Sequence, residues 1–158
     1  MKGQAKVLEV LQGNLTDELG AAHKYMLHSE MCENWGYKTL ARLTRTRAIE
    51  EMKHAEGFIE RIIFLDAIPA VTYGLKPQLG AKVEEQMQIN LKDELDAIHN
   101  YNHAVEVCTK AGDDGSRALF ERTLKDEERH ADFLESQLHA IEEMGIGPYL
   151  AQYLHEKE

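Results

Sequence analysis

Two stretches of this sequence put a glutamate three residues ahead of a histidine: Glu51-Met52-Lys53-His54 and Glu127-Glu128-Arg129-His130. On a helix, positions three apart share a face, about 60° apart in rotation, so each pair can offer one carboxylate oxygen and one imidazole nitrogen to the same metal ion. A single such pair in a glutamate-rich helix is ordinarily solvated surface. Two pairs at a fixed separation mean more, and both 127 − 51 and 130 − 54 equal 76. The same offset relates DELGAAHKY at 17–25 to DELDAIHNY at 93–101, and Cys32 to Cys108. It predicts an internally duplicated helical hairpin with a pseudo-two-fold axis. The duplicated segments add Glu18 and Glu94. Four carboxylates and two imidazoles carry four negative charges, which two divalent ions neutralise. Such mixed oxygen and nitrogen donors suit iron or manganese, and zinc also fits.

Rigid elements are needed to bring those six residues together. Only three prolines occur, Pro69, Pro77 and Pro148, and the stretches between them are rich in Glu, Lys, Leu and Ala. The pattern predicts an all-α chain with helices at 4–35, 38–66, 82–111, 115–144 and a short fifth at 148–155. Short gaps make helices one and two, and helices three and four, antiparallel hairpins. The Pro- and Gly-containing run at 66–81 can travel back along a whole four-helix bundle, so a long crossover is expected between helices two and three.

Helical phase turns the candidate ligands inward. Helix two aligns Leu40, Leu43, Glu51, His54, Phe58, Ile62 and Leu65 in one stripe, and helix one aligns Leu11, Leu15, Glu18, Ala22 and Tyr25. A carboxylate in a core stripe is severely destabilising unless a cation compensates it. Glu18, Glu51, Glu94 and Glu127 all fall near the middle of their helices, so they meet at one level whichever way each helix runs. Tyr25 and Tyr101 are placed to hydrogen-bond ligands. A second apolar line, Met52, Ile59 and Ile63, runs beside the core stripe of helix two and is expected to be buried by another subunit. The two cysteines belong to no CxxC motif; their repeat positions lie at opposite ends of the bundle, as small buried apolar residues.

Composition sets the outer bounds. A chain of 158 residues is one domain, 1–158, with room for a real core. With 28 acidic against 18 basic residues the net charge is −10, which disfavours nucleic acid and anionic membranes as partners and attracts cations. The N-terminal run is amphipathic rather than continuously apolar, and no stretch approaches ~18 apolar residues, so a cytoplasmic protein is expected.

The MKG start, LHSEMCENWG (27–36), EEMKHAEGFIERIIFLDAIP (50–69), DEERHADFLESQL (126–138) and MGIGPYLAQ (144–152) resemble the motifs of bacterioferritins, over essentially the whole chain. The resemblance implies a ferritin-like fold and a homo-oligomeric shell of twenty-four subunits. It implies iron storage, with ferroxidase oxidation of Fe(II) by hydrogen peroxide or dioxygen and a ferredoxin as partner for iron release. Glu51 and Glu127 would bridge two Fe ions per subunit, Glu18 and Glu94 would be terminal carboxylates, and His54 and His130 terminal imidazoles. Met52 stands where the family gives one axial ligand to a haem b shared between two subunits. Ala22, His23 and Met26 stand where many members have Ile, Asn and an aromatic residue near the haem, and Arg45 where a propionate-contacting Tyr is common. Thr46 and Glu50 replace a His and an Asp of an inner-surface iron site, which is expected to be altered here. A bundle that only binds haem is the alternative from another class; a peroxide-scavenging di-iron protein is the enzymatic rival, but the CxxC module of rubrerythrins is lacking.

Overall fold

Five helices account for most of the computed structural model, which describes residues 1–71 and 77–154: α1 (Ala5–Asn34), α2 (Lys38–Phe64), α3 (Val83–Ala111), α4 (Asp114–Met144) and α5 (Ile146–Ala151). No strand occurs among the described residues. Hydrogen bonds fix the helix directions. Between α1 and α2, Ser29 Oγ donates to the Ala41 carbonyl at 2.8 Å and Gly3 N–H to the Leu65 carbonyl at 3.0 Å, so rising numbers on one helix meet falling numbers on the other. Between α1 and α3, Gln4 meets Ala111, Tyr25 meets Glu94 and Cys32 meets Gln86. Since α2 and α3 are both antiparallel to α1, they are parallel to each other, and the chain must return along the bundle between them.

That return is docked on α1. The Gln12 amide donates to the Ile68 carbonyl and accepts from Ala70 N–H, both at 2.8 Å, and further along α1 His28 Nε2 accepts from Gly80 N–H at 3.3 Å. Sixteen residues of helix, about 24 Å, separate the two anchors. Residues 72–76 of the predicted crossover lie outside the described residues.

The ends of the helices differ from expectation for local reasons. Helix α2 stops at Phe64 rather than 66 because Asp66 adopts φ +58°, which no helix continues. Helix α5 covers 146–151 rather than 148–155. Gly145, at φ +82°, ends α4, and Pro148 is tolerated in the first turn that follows; position 155 lies outside the described residues. Asp113 caps α4 by accepting from Ser116 N–H at 2.9 Å, and Arg61 of α2 donates to the same carboxylate at 2.6 Å, tying the α3–α4 turn to α2. Leu43 was expected in the core stripe but is 45% exposed. Eight residues before Glu51, it is rotated from it by about 80°, while Ala41, Ala48 and Ala55 take the buried face.

The core is split in two. One cluster, with Leu11, Leu15, Phe58, Ile62, Tyr101, Cys108 and Phe120, fills one end, and another, with Cys32, Leu40, Met87, Leu134, Ile141 and Tyr149, fills the other. The two free cysteines are thus buried at opposite ends, with thiols pushed by burial to about 11. Between the apolar halves lies a polar layer.

Candidate metal centre

That layer holds the six candidate residues, one carboxylate from each long helix and one imidazole each from α2 and α4. Glu18, Glu51, Glu94, Glu127 and His130 are buried and His54 nearly so. Two four-residue groups each gather donor atoms closely enough for one ion: Glu18, Glu51, His54 and Glu127, and Glu51, Glu94, Glu127 and His130. Glu51 and Glu127 belong to both.

The distances show how the sharing arises. His54 Nδ1 lies 3.0 Å from Glu127 Oε1, 3.3 Å from Glu51 Oε2 and 3.4 Å from Glu18 Oε2. His130 Nδ1 lies 3.0 Å from Glu127 Oε2, 3.2 Å from Glu51 Oε1 and 3.6 Å from Glu94 Oε2. Each shared carboxylate thus turns one oxygen to each imidazole, whereas Glu18 and Glu94 face one half only. The imidazole rings stack, 6.1 Å between centroids.

Burial makes this arrangement costly without positive charge. Taking an ionised carboxylate out of water costs several kcal/mol even after relaxation. Glu18 Oε2, Glu51 Oε1, both Glu127 oxygens and both ring nitrogens of His130 are buried without a hydrogen-bond partner. The protonation pattern follows. Burial raises Glu18 well above the carboxylate range and Glu94 to about 8, while Glu127 is held low because His130 and His54 outweigh its burial. Burial alone would lower both imidazoles, but the carboxylates around them win: His130 rises to about 11 and His54 higher still. Protons on the two rings therefore stand where two cations fit. The donor set, all oxygen and imidazole nitrogen, suits iron, manganese or zinc.

The outer nitrogens of the rings both face carboxylates. His54 Nε2 is 3.2 Å from Asp126 Oδ2 on α4, and His130 Nε2 is 3.1 Å from Glu50 Oε2 on α2, itself bound at 2.6 Å by Arg47. The Asp126 carboxylate fixes the His54 tautomer and leaves its Nδ1 as the ligand atom toward the centre, and Glu50 stands in the corresponding place beside His130. Sequence reasoning singled out neither as an imidazole partner, although 126 − 50 is again 76. Tyr25 donates its hydroxyl to Glu94. Its repeat mate Tyr101 instead packs its ring against Phe58 and Phe120, because the apolar cluster below the centre claims that position.

Beyond the centre, the ferritin-like domain family matches residues 8–144. A bacterioferritin of Brucella melitensis is 43% identical over 149 residues, covering 94% of this chain and 92% of that protein. The chain belongs to the bacterioferritin family. Bacterioferritins of Mycolicibacterium paratuberculosis (37% identical; 96% of each chain) and Streptomyces coelicolor (36% identical; 100% of this chain, 95% of that protein) are similar over equal lengths.

Family membership directs attention to Met52. It is 43% exposed on α2, as is its neighbour Ile49 at 49%. Nearby, Arg45 pairs with Glu30 across the α1–α2 hairpin. No helix among the described residues is long and apolar enough to cross a membrane.

Proposed function

We propose that this chain, as a single domain over residues 1–158, stores iron and oxidises it at the centre between the two apolar halves of the bundle. The observation that carries the reading is the overlap of the two four-residue groups through Glu51 and Glu127. Glu51 and Glu127 bridge two ferrous ions; Glu18 and His54 complete one site, Glu94 and His130 the other. Four carboxylates balance the charge of two ferrous ions, and oxidation of both leaves an excess of two positive charges that favours onward movement of the ferric ions.

Each ferrous ion gives up one electron. A pair supplies the two electrons that, with two protons, reduce one hydrogen peroxide to two waters, or one dioxygen to hydrogen peroxide. The residues around the centre prepare it for this. Asp126 hydrogen-bonds the outer nitrogen of His54, Glu50 sets a carboxylate beside that of His130, and the Tyr25 hydroxyl restrains Glu94. Ferric iron then passes to the interior of a homo-oligomeric shell of twenty-four copies in the cytoplasm, with a ferredoxin as electron donor for release. Support for the shell is the near full-length likeness to bacterioferritins. On the same reading Met52 of each of two copies would hold a haem b, which would supply electron transfer when bound.

The test is stopped-flow oxidation of Fe(II) by peroxide and by dioxygen. Glu51→Gln with Glu127→Gln abolishes the fast phase if the reading is right; a fast phase of unchanged rate and amplitude overturns it.

A further inference from the structure

The centre has two mouths, and they differ in charge. Between α2 and α4 the mouth is lined by His54, Lys53, Arg122 and Arg129, together with Glu50 and Asp126, the two carboxylates already turned to the imidazoles. Between α1 and α3 lies a cavity of about 480 Å³ whose floor includes all four carboxylates of the centre and neither imidazole. Its rim carries Asp17, Asp93, Asp96, His23 and Lys24. Glu18 Oε2, buried and without a hydrogen-bond partner, lies on that floor. A cation approaching through the first mouth meets three fixed positive charges, and through the second only one.

That one charge is Lys24. Its ammonium is bound to Asp93 across the mouth, and its side chain is only 14% exposed, deep for a lysine. The hairpin repeat sharpens the asymmetry. Asp17 and Asp93 are mates at the 76-residue offset, each directly preceding a glutamate of the centre, but the mate of Lys24 is the neutral Asn100, also on the cavity wall. The mouth therefore holds a symmetric pair of aspartates with a single lysine on one of them.

Building on the metal-centre reading above, we propose that divalent metal enters between α1 and α3, and that Lys24 is a displaceable latch on Asp93 which the incoming ion must release. The metal exchanges one ammonium for two positive charges at Asp93 and Asp17, then moves down to Glu18 and Glu94. Lys24 acts on admission, not on the chemistry below.

Cobalt(II), whose visible absorption reports oxygen and nitrogen coordination, tests this on the assembled protein by stopped flow. Lys24→Gln removes the charge and keeps the length; it loads cobalt several-fold faster than wild type, with the same final two ions per chain. Asp93→Asn leaves the ammonium unpaired in the mouth and loads several-fold slower, and adding Lys24→Gln to it restores much of the rate. A merely structural ion pair would give both single variants the same sign. Equal rates in all variants, or slowing by both, with cobalt still reaching two per chain, overturn the latch alone. If the wild type fails to reach two cobalt ions, or Glu51→Gln with Glu127→Gln binds as many, the centre itself is overturned and the latch with it.

Discussion

Glu51 and Glu127, on helices α2 and α4, each direct one carboxylate oxygen to His54 and the other to His130. Seventy-six residues apart, they lie across the pseudo-two-fold axis from one another and are the two members common to both halves of the centre. Glu18 and Glu94 touch one half each. The distinction makes the four glutamates unequal.

Removing a shared carboxylate should therefore cost both metals, and removing an unshared one a single metal. Equilibrium titration with cobalt(II) or zinc, with metal counted per chain, is expected to give about none for Glu127→Gln and about one for Glu18→Gln. Equal losses in the two variants would mean that the sharing has no energetic weight.

Asp126 and Glu50 are expected to act through the imidazoles they face. Loss of such a partner ordinarily weakens metal binding 10- to 100-fold. Asp126→Asn should weaken only the His54 half, and Glu50→Gln only the His130 half, so each titration becomes biphasic with one phase unchanged. A uniform shift of both phases would point to general destabilisation instead.

The metal-free centre makes stability depend on pH in a definite direction. His130 has its folded pKa raised from 6.5 to about 11 by Glu127, Glu51 and Glu94 against the effect of burial, so its contribution is complete below pH 6.5 and is lost as pH rises toward 11. Glu94, raised by burial from 4.5 to about 8, stays protonated in the fold, so its contribution is complete below 4.5 and gone by 8. Both run the same way. The melting temperature of metal-free protein should fall from pH 6 to pH 9, whereas metal-loaded protein, whose rings have already given up their inner protons, should change little. Metal uptake at pH 7 should release protons, measurable with a weakly buffered indicator. A metal-free melting temperature that rises over this range would contradict the account.

Met52→Leu keeps the apolar volume and removes the sulfur. Copies of the variant should lose the haem absorption band, expected at one haem per two chains, while fast iron oxidation persists. Unaltered haem content would exclude Met52 as its ligand.

Much of this arrangement could be read before any coordinates. The 76-residue offset and the mid-helix position of Glu18, Glu51, Glu94 and Glu127 foretold that four carboxylates would converge, because a duplicated hairpin repeats its ligand positions and the fixed rise of a helix sets their level. What escaped depends on rotation and on distant neighbours. Leu43 shares an apolar character with the core but not its phase. Tyr101 shares the repeat position of Tyr25, yet Phe58 and Phe120 surround its ring. Asp126 and Glu50 were not legible as imidazole partners because the rings they face sit on another helix. The Lys24–Asp93 pair spans 69 residues and breaks the repeat, so no periodicity announced it.

The most direct test of the central claim is anomalous diffraction at the iron edge from crystals soaked anaerobically in Fe(II). The account predicts two peaks in each chain, about 3.5–4 Å apart, both within bonding distance of Glu51 and Glu127, one completed by Glu18 and His54 and the other by Glu94 and His130. A single peak, or two peaks that do not share Glu51 and Glu127, would contradict it.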